Sequence, residues 1–227
     1  MKNLLNVSDL NKDDFKNILT YSKILDKKFD DCLNNKNIGL IFEKNSTRTR
    51  LSFQVGIKQL NGNFIDIKLD ELNLNRFESY EDTFEIMSCY LDCLIFRTND
   101  HNKLDTAIKY FKKPIINALS DLSHPCQAIS DIYTLEDHFG SADNLNIAWM
   151  GDLNNVLFSL IETTKFLENT KINIFTDEGI FKKFEKQYSN KKNINFYFKI
   201  NDKVLEKTDC IMTDVFNSMN DKEDKEK

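Results

Sequence analysis

Phe42-Glu43-Lys44-Asn45-Ser46-Thr47-Arg48-Thr49-Arg50-Leu51-Ser52-Phe53 joins a strand-like apolar run to a helical pattern through hydroxyls and guanidiniums. On its N-terminal side, Ile38-Gly39-Leu40-Ile41-Phe42 reads as a short buried strand. On its C-terminal side, Leu51 and Val55, then Phe53, Ile57 and Leu60, recur at helical spacings. The hydroxyl cluster therefore opens a helix. The first N–H groups of a helix lack intrahelical partners and carry the positive end of its dipole, so these groups with Ser46, Thr47 and Thr49 can all donate to one anion. Arg48 adds a two-pronged, charge-assisted contact that matches phosphate oxygens. The plainer alternative makes Ser46 or Thr47 an N-cap and leaves the arginines to solvent. From chemistry alone the stretch binds phosphate.

Working outward, sheet and helix signals alternate. Asn6 to Leu10, followed by Phe15, Ile18, Leu19, Ile24 and Leu25, predicts an amphipathic opening helix capped by Ser8 or Asp9. After Asn61-Gly62, residues 63–69 read as a second strand, 81–90 as a helix and 93–96 as a third strand. Arg97 thus follows a buried strand. In an open parallel sheet, ligands gather at the carboxyl ends of the strands, so Arg97 is either a surface charge or a second cation for the anion that Phe42's loop would hold. A helix over 104–111 and a strand over 115–118 lead to Ser123-His124-Pro125-Cys126-Gln127. Pro125 suits the first position of a new helix and would place His124 and Gln127 at its start. His124 is by residue type either a structural histidine or part of the site. Gly140-Ser141-Ala142-Asp143 is the linker candidate, and strands are predicted over 145–150, 171–175, 194–198 and 209–213. The fold class is α/β, with two domains, 1–139 and 140–227, each a parallel sheet flanked by helices.

The chain has 227 residues and 18 Phe, enough to bury a sizeable core. Thirty-one Lys and Arg against 36 Asp and Glu give a net charge of −5, so no overall basic field favours nucleic acid or an anionic membrane. No segment approaches the ~20 apolar residues of a bilayer span and residues 1–30 carry no signal-peptide pattern, which predicts a cytoplasmic protein. Five cysteines, odd in number and without a CxxC pair, are expected as free, buried thiols. Cys89 and Cys93, taken as neighbours on one helix, make a poor zinc site beside three scattered histidines, and no metal is expected. Gly151-Asp152-Leu153-Asn154-Asn155 follows a strand but lacks the Gly-x-Gly-x-x-Gly spacing, so a nicotinamide cofactor is rejected. No other cofactor is implied.

Ser46-Thr47-Arg48-Thr49-Arg50 resembles the carbamoyl-phosphate loop of the transcarbamoylases, the aspartate and ornithine carbamoyltransferase family, and His124-Pro125-Cys126-Gln127 resembles that family's His-Pro-x-Gln motif. Gly151 to Asn155 is similar to the Gly-Asp-x-Asn-Asn element of the ornithine branch, and Asp214-Val215-Phe216-Asn217-Ser218-Met219 to its Asp-x-x-x-Ser-Met-Gly element. The resemblance implies carbamoyl phosphate held by Ser46, Thr47, Arg48, Thr49, Arg97, His124 and Gln127, with Arg48, Arg97 and His124 catalytic. It implies L-ornithine held by Asn155, Asp214, Ser218 and Met219, Asp214 pairing with the α-amino group and Gln127 orienting the carbamoyl amide. The implied reaction is metal-free attack of the ornithine δ-amine on the carbamoyl carbon in a crevice between the domains, giving citrulline and phosphate, in a homotrimer.

The sequence departs from the family pattern at Asn220, where Gly is usual, at Phe77, where relatives are small or polar, and at Asn73, where they often have Gln. It also ends before the family's His-Cys-Leu-Pro segment and terminal helix. The expectation is therefore a C-terminally truncated chain with an incomplete second domain, which binds carbamoyl phosphate but turns over poorly. The alternatives are a non-catalytic carbamoyl-phosphate-binding fragment, or a transcarbamoylase for putrescine, acetylornithine or aspartate.

Overall fold

The computed structural model describes residues 3–69, 72, 78–188 and 191–214. The chain divides into two compact units, Met1–Cys126 and Gln127–Lys227.

The first unit is built on a four-stranded, wholly parallel sheet of β1 (Asn37–Phe42), β2 (Asn63–Ile67), β3 (Cys93–Arg97) and β4 (Ile115–Leu119), in the order β2-β1-β3-β4. Side chains alternate between the two faces of a strand, so an apolar run can fill two cores at once. Ile38, Leu40 and Ile95 pack with Ile57 and Phe53 of α2 (Arg48–Gln59) on one face. Ile41, Leu94 and Phe96 pack on the other with Phe84 of α3 (Tyr80–Tyr90) and Leu104 of α4 (His101–Tyr110). Gly39 points to this second face, where a Cβ would come within 2.5 Å of Leu91 Cδ1; glycine here lets Leu91 close over the strand. The outer edge of β4 is covered by the start of the chain. Leu4 N–H donates to Ile115 O at 2.9 Å, Asn117 N–H donates to Leu4 O at 2.8 Å, and Ile115 N–H donates to Asn3 Oδ1 at 2.9 Å.

Helix starts are where sequence and structure part. The opening helix α1 is Lys12–Lys27 and is capped by Asn11, whose Oδ1 accepts from Asp14 N–H at 2.8 Å. Asp9, expected as its cap, instead accepts from Leu5 N–H and Asn6 N–H in a separate 3-10 turn, Val7–Asp9. Likewise α4 begins three residues before the expected 104, because Asp100 caps it through Asn102 N–H. Cys89 ends up on α3 and Cys93 on β3, so the two do not share a helix, and Cys32 and Cys89 are exposed where buried thiols were expected.

α5 (Pro125–Phe139) begins in the first unit, runs into the second, and stops at Gly140, whose φ of 80° is the left-handed closure that glycine adopts at no steric cost. The second unit repeats the plan with β5 (Asn146–Met150), β6 (Lys171–Phe175), β7 (Ile194–Tyr197) and β8 (Cys210–Met212), all parallel in the order β7-β6-β5-β8. Its core includes Ile147, Trp149, Ile172 and Ile174 together with Leu157 and Leu160 of α6 (Asn155–Thr163); α7 (Glu178–Tyr188) and the short α8 (Asp202–Leu205), which buries no residue, are its other described helices. Among the described residues no helix is long and apolar enough to cross a membrane.

Candidate active site

In the first sheet Phe42 pairs with Arg97 and Arg97 with Leu119, so β1, β3 and β4 end level. Three loops therefore leave the same edge side by side: 43–47, 98–100 and 120–124. Arg97, half-buried at the end of β3, turns Nη1 to Ser46 Oγ at 3.0 Å and to Thr49 Oγ1 at 3.3 Å. Burial pulls its guanidinium below its ordinary pKa. Arg97 is therefore not a fully solvated charge, and its Nη1 is turned into the loop.

The 43–47 loop is fastened at its other end. Glu43 N–H donates to Arg97 O at 3.1 Å, while the Glu43 carboxylate accepts from Thr98 Oγ1 at 2.6 Å, Asn99 N–H at 3.3 Å and Lys103 Nζ at 2.6 Å. Thr47 stands at the cap position of α2 in α-helical conformation and its side chain does not cap the helix, so the plain-cap alternative does not describe it. Arg48 and Thr47 are exposed and Thr49 is half-buried. Arg50 is structural: it pairs with Asp66 at 3.1 Å and lies over the Phe42 ring.

His124 immediately precedes Pro125, the first residue of α5, and is 7% exposed. Burial, with a smaller push from the positive charge of Arg97, lowers its pKa from 6.5 to about 4. At neutral pH it is therefore an uncharged imidazole with one N–H to donate. The turn before it is held by residues the sequence did not flag. Asn117, fully buried in a strand that otherwise reads as apolar, donates from Nδ2 to Leu5 O at 2.9 Å; Ser120 N–H donates to Ser123 O at 2.8 Å, and Ser123 N–H to Ser120 Oγ at 3.1 Å. His101 Nδ1 lies 2.7 Å from Ser120 Oγ. The signal was the Asn117 interruption of an apolar run, since a buried amide requires partners.

Within the second unit, Gln127 Nε2 donates to Asp131 Oδ1 at 2.7 Å one turn along α5. Burial, reinforced by the negative charge of Asp214, raises the Asp131 pKa from 3.8 to about 6 against the opposing effect of the Gln127 bond. Asn154, buried, caps α6 through Val156 N–H and Leu157 N–H, both at 3.1 Å, and its Nδ2 donates to Asp214 Oδ2 at 2.8 Å. Asn155, expected in the amino-acid site, is the first, half-buried residue of α6, while Asn154, which has no such expectation attached to it, holds Asp214, 60 residues away. Gly151, with φ 145°, makes the turn between β5 and this pair. Ser218 and Met219, like the departures at Asn73, Phe77 and Asn220, lie outside the described residues.

Residues 2–137 match the sequence profile of the carbamoyl-P binding domain of aspartate/ornithine carbamoyltransferase, and residues 143–227 match that of the Asp/Orn binding domain. The chain belongs to the aspartate/ornithine carbamoyltransferase family. Among the relatives of this carbamoyltransferase are ornithine carbamoyltransferases from Archaeoglobus fulgidus, 34% identical over 100% of this chain and 76% of the relative, and from Prochlorococcus marinus, 38% identical over 99% and 76%. The solved ornithine carbamoyltransferase of Burkholderia thailandensis superposes with a TM-score of 0.84 at 29% identity, covering 95% of this chain and 76% of that one. An aspartate transcarbamoylase from Trypanosoma cruzi shares the fold, with a TM-score of 0.79 at 22% identity over 93% of this chain and 71% of that one.

Proposed function

We propose that this carbamoyltransferase transfers the carbamoyl group of carbamoyl phosphate to the δ-amine of L-ornithine, giving citrulline and phosphate. In this reading residues 1–139 bind carbamoyl phosphate and residues 140–227 the amino acid. The observation that carries it is the convergence of Arg97 with the hydroxyls of Ser46 and Thr49 at the level ends of β1 and β3. Two hydroxyls that each accept from one guanidinium keep their own O–H groups to donate, so all three can turn onto a phosphate with little rearrangement. Thr47 and Arg48, exposed beside them, extend the set.

The chemistry follows from where charge develops. The neutral amine attacks the carbamoyl carbon, the C–O bond to phosphate breaks, and the departing phosphate takes up the proton that the amine sheds. Negative charge appears first on the carbonyl oxygen and then on the departing phosphate. His124, held neutral, donates its N–H to the carbonyl oxygen, Arg48, Arg97 and Thr49 donate to that oxygen and to the leaving phosphate, Ser46 and Thr47 hold the phosphate, and Gln127 orients the carbamoyl amide. Asp214, kept in place by Asn154, takes the α-ammonium group, with Asn155, Ser218 and Met219 completing the amino-acid site. Ornithine is favoured over aspartate by the relatives, since those at 34% and 38% identity are ornithine carbamoyltransferases while the aspartate transcarbamoylase, at 22%, shares the fold alone. The same reading expects the enzyme in the cytoplasm as a homotrimer.

The test is a product assay with carbamoyl phosphate and, in separate reactions, ornithine, aspartate, putrescine and acetylornithine, alongside calorimetric binding of carbamoyl phosphate. Citrulline as the preferred product supports the proposal. Preferential formation of another ureido compound overturns the choice of amine, and failure to bind carbamoyl phosphate overturns the reading as a whole.

A further inference from the structure

The bond from Gln127 to Asp131 has a consequence for what the first site accepts. An amide side chain is two-faced, with a donor NH2 and an acceptor oxygen that exchange places by a half-turn of the terminal torsion. A carboxylate has no such ambiguity, because when ionised it only accepts. Asp131 Oδ1, 2.7 Å from Gln127 Nε2, therefore fixes which way the amide faces. The NH2 group is committed to Asp131, and Oε1 is left as the outward-facing acceptor on an otherwise exposed side chain. The one-turn spacing on α5 makes this pairing a property of the helix.

We infer that Asp131 is a positioning residue that locks Gln127 with its carbonyl oxygen outward, so that the enzyme selects a transferable group bearing N–H donors over one bearing a methyl. The inference rests on the proposed role of Gln127 toward the carbamoyl group. A carbamoyl and an acetyl group are nearly the same size and shape, so a pocket built on volume discriminates poorly between them, whereas an acceptor that requires a donor discriminates by the strength of the hydrogen bond. An amide free to turn presents NH2 to either group and loses that distinction.

Asp131 is also poised to be sensitive to acid. Asp214 raises its pKa by its negative charge and Gln127 is the hydrogen-bond donor opposing the rise, while Cys210 beside it is a thiol pushed up by its own burial and then by the charge of Asp131. A protonated Asp131 can donate to Gln127 Oε1, which permits the half-turn. Selectivity for the carbamoyl group is then lost as the pH falls through about 6.

The experiment measures binding of carbamoyl phosphate and of acetyl phosphate to the wild-type chain, Asp131→Asn and Gln127→Ala between pH 5 and 8. Because the phosphate ends of the two ligands titrate alike, the ratio of affinities isolates the contact to the transferred group. For wild type the ratio should favour carbamoyl phosphate by roughly tenfold at pH 8, the scale of one hydrogen bond, and fall toward one at pH 5. Gln127→Ala should show no preference at any pH. Asp131→Asn, whose own amide can pair with Gln127 in either orientation, should show a reduced ratio that does not change with pH. A native circular dichroism spectrum and a cooperative urea transition report that each variant is folded. An Asp131→Asn ratio equal to wild type, with the same pH dependence, overturns this inference and leaves the proposed function standing. Binding of neither ligand by the wild-type chain overturns both.

Discussion

His124 offers a quantitative test because its burial has a thermodynamic signature. Its pKa falls from 6.5 to about 4 on folding, chiefly because burial disfavours the imidazolium. Above pH 6.5 the ring is neutral in the folded and unfolded chains alike, and the contribution to stability is fully present. Between pH 6.5 and about 4 the unfolded chain takes up a proton that the folded chain refuses, so the first unit loses stability as the pH falls, and below about 4 the loss is complete. At about 1.4 kcal/mol per pH unit the window amounts to roughly 3 kcal/mol, a large fraction of a small domain's stability. The assay is proton NMR of the three histidines from pH 8 to 3, paired with urea unfolding of wild type and His124→Gln at pH 7.5 and 4.5. The His124 resonance should titrate near pH 4, and the variant should lose less stability between the two pH values than wild type does. A midpoint near 6.5, or identical pH dependence in the two proteins, would refute the claim that the fold holds this ring neutral. The account of it as a simple hydrogen-bond donor would fall too.

Arg48→Ala should weaken carbamoyl phosphate binding by roughly 10- to 100-fold in calorimetry, since a charge-assisted hydrogen bond contributes about 1.5–3 kcal/mol, and Arg48→Lys should recover little of it; equal affinity in all three proteins would remove Arg48 from the site. Asn154→Ala deletes the cap of α6 and the anchor of Asp214 together, and should cost the second unit about 1–2 kcal/mol in urea unfolding followed by the fluorescence of Trp149, the one tryptophan in the chain. Asp131 should show the opposite pH dependence to His124. Its raised pKa favours the fold below pH 3.8 and that advantage disappears as the pH rises through about 6, so Asp131→Asn should flatten the pH dependence of Trp149-detected unfolding by at most about 3 kcal/mol; an unaltered profile would contradict the buried placement.

How much could be read from the chain alone depended on whether the signal was local. The strands were legible because parallel strands are apolar on both faces: Asn37–Phe42 and Lys171–Phe175 stand out as short hydrophobic runs bounded by polar residues. The loop between β1 and α2 was legible as a strand-to-helix junction because hydroxyls and arginines cluster within five residues between an apolar run and a helical pattern. Helix starts were less so, since Ser8, Asp9 and Asn11 are all competent caps and the choice is made by the tertiary path that turns Val7–Asp9 into a separate 3-10 turn. Least legible were the long-range polar contacts. Nothing near Asn154 in sequence announces Asp214, and Glu43, which gathers Thr98, Asn99 and Lys103, reads in isolation as one more solvated acid. The same holds for Gln127 and Asp131. Their i,i+4 spacing was visible, but only burial of the carboxylate shows that the pair is more than a surface contact.

The closure of the β4 edge by Asn3 to Leu5 sets an order of events for a chain emerging from the ribosome. This segment has its partners at Ile115 and Asn117, some 112 residues later, so the first unit cannot seal its sheet until most of its length has been synthesised. Contacts so distant in sequence form slowly, because a long loop must close before they can form. Until then β4, once made, presents a bare row of amides and carbonyls to any neighbouring chain. The three residues that look least informative in the sequence thus guard the nascent protein against strand-to-strand association. A chain lacking them would be expected to aggregate during synthesis even if its finished fold were stable.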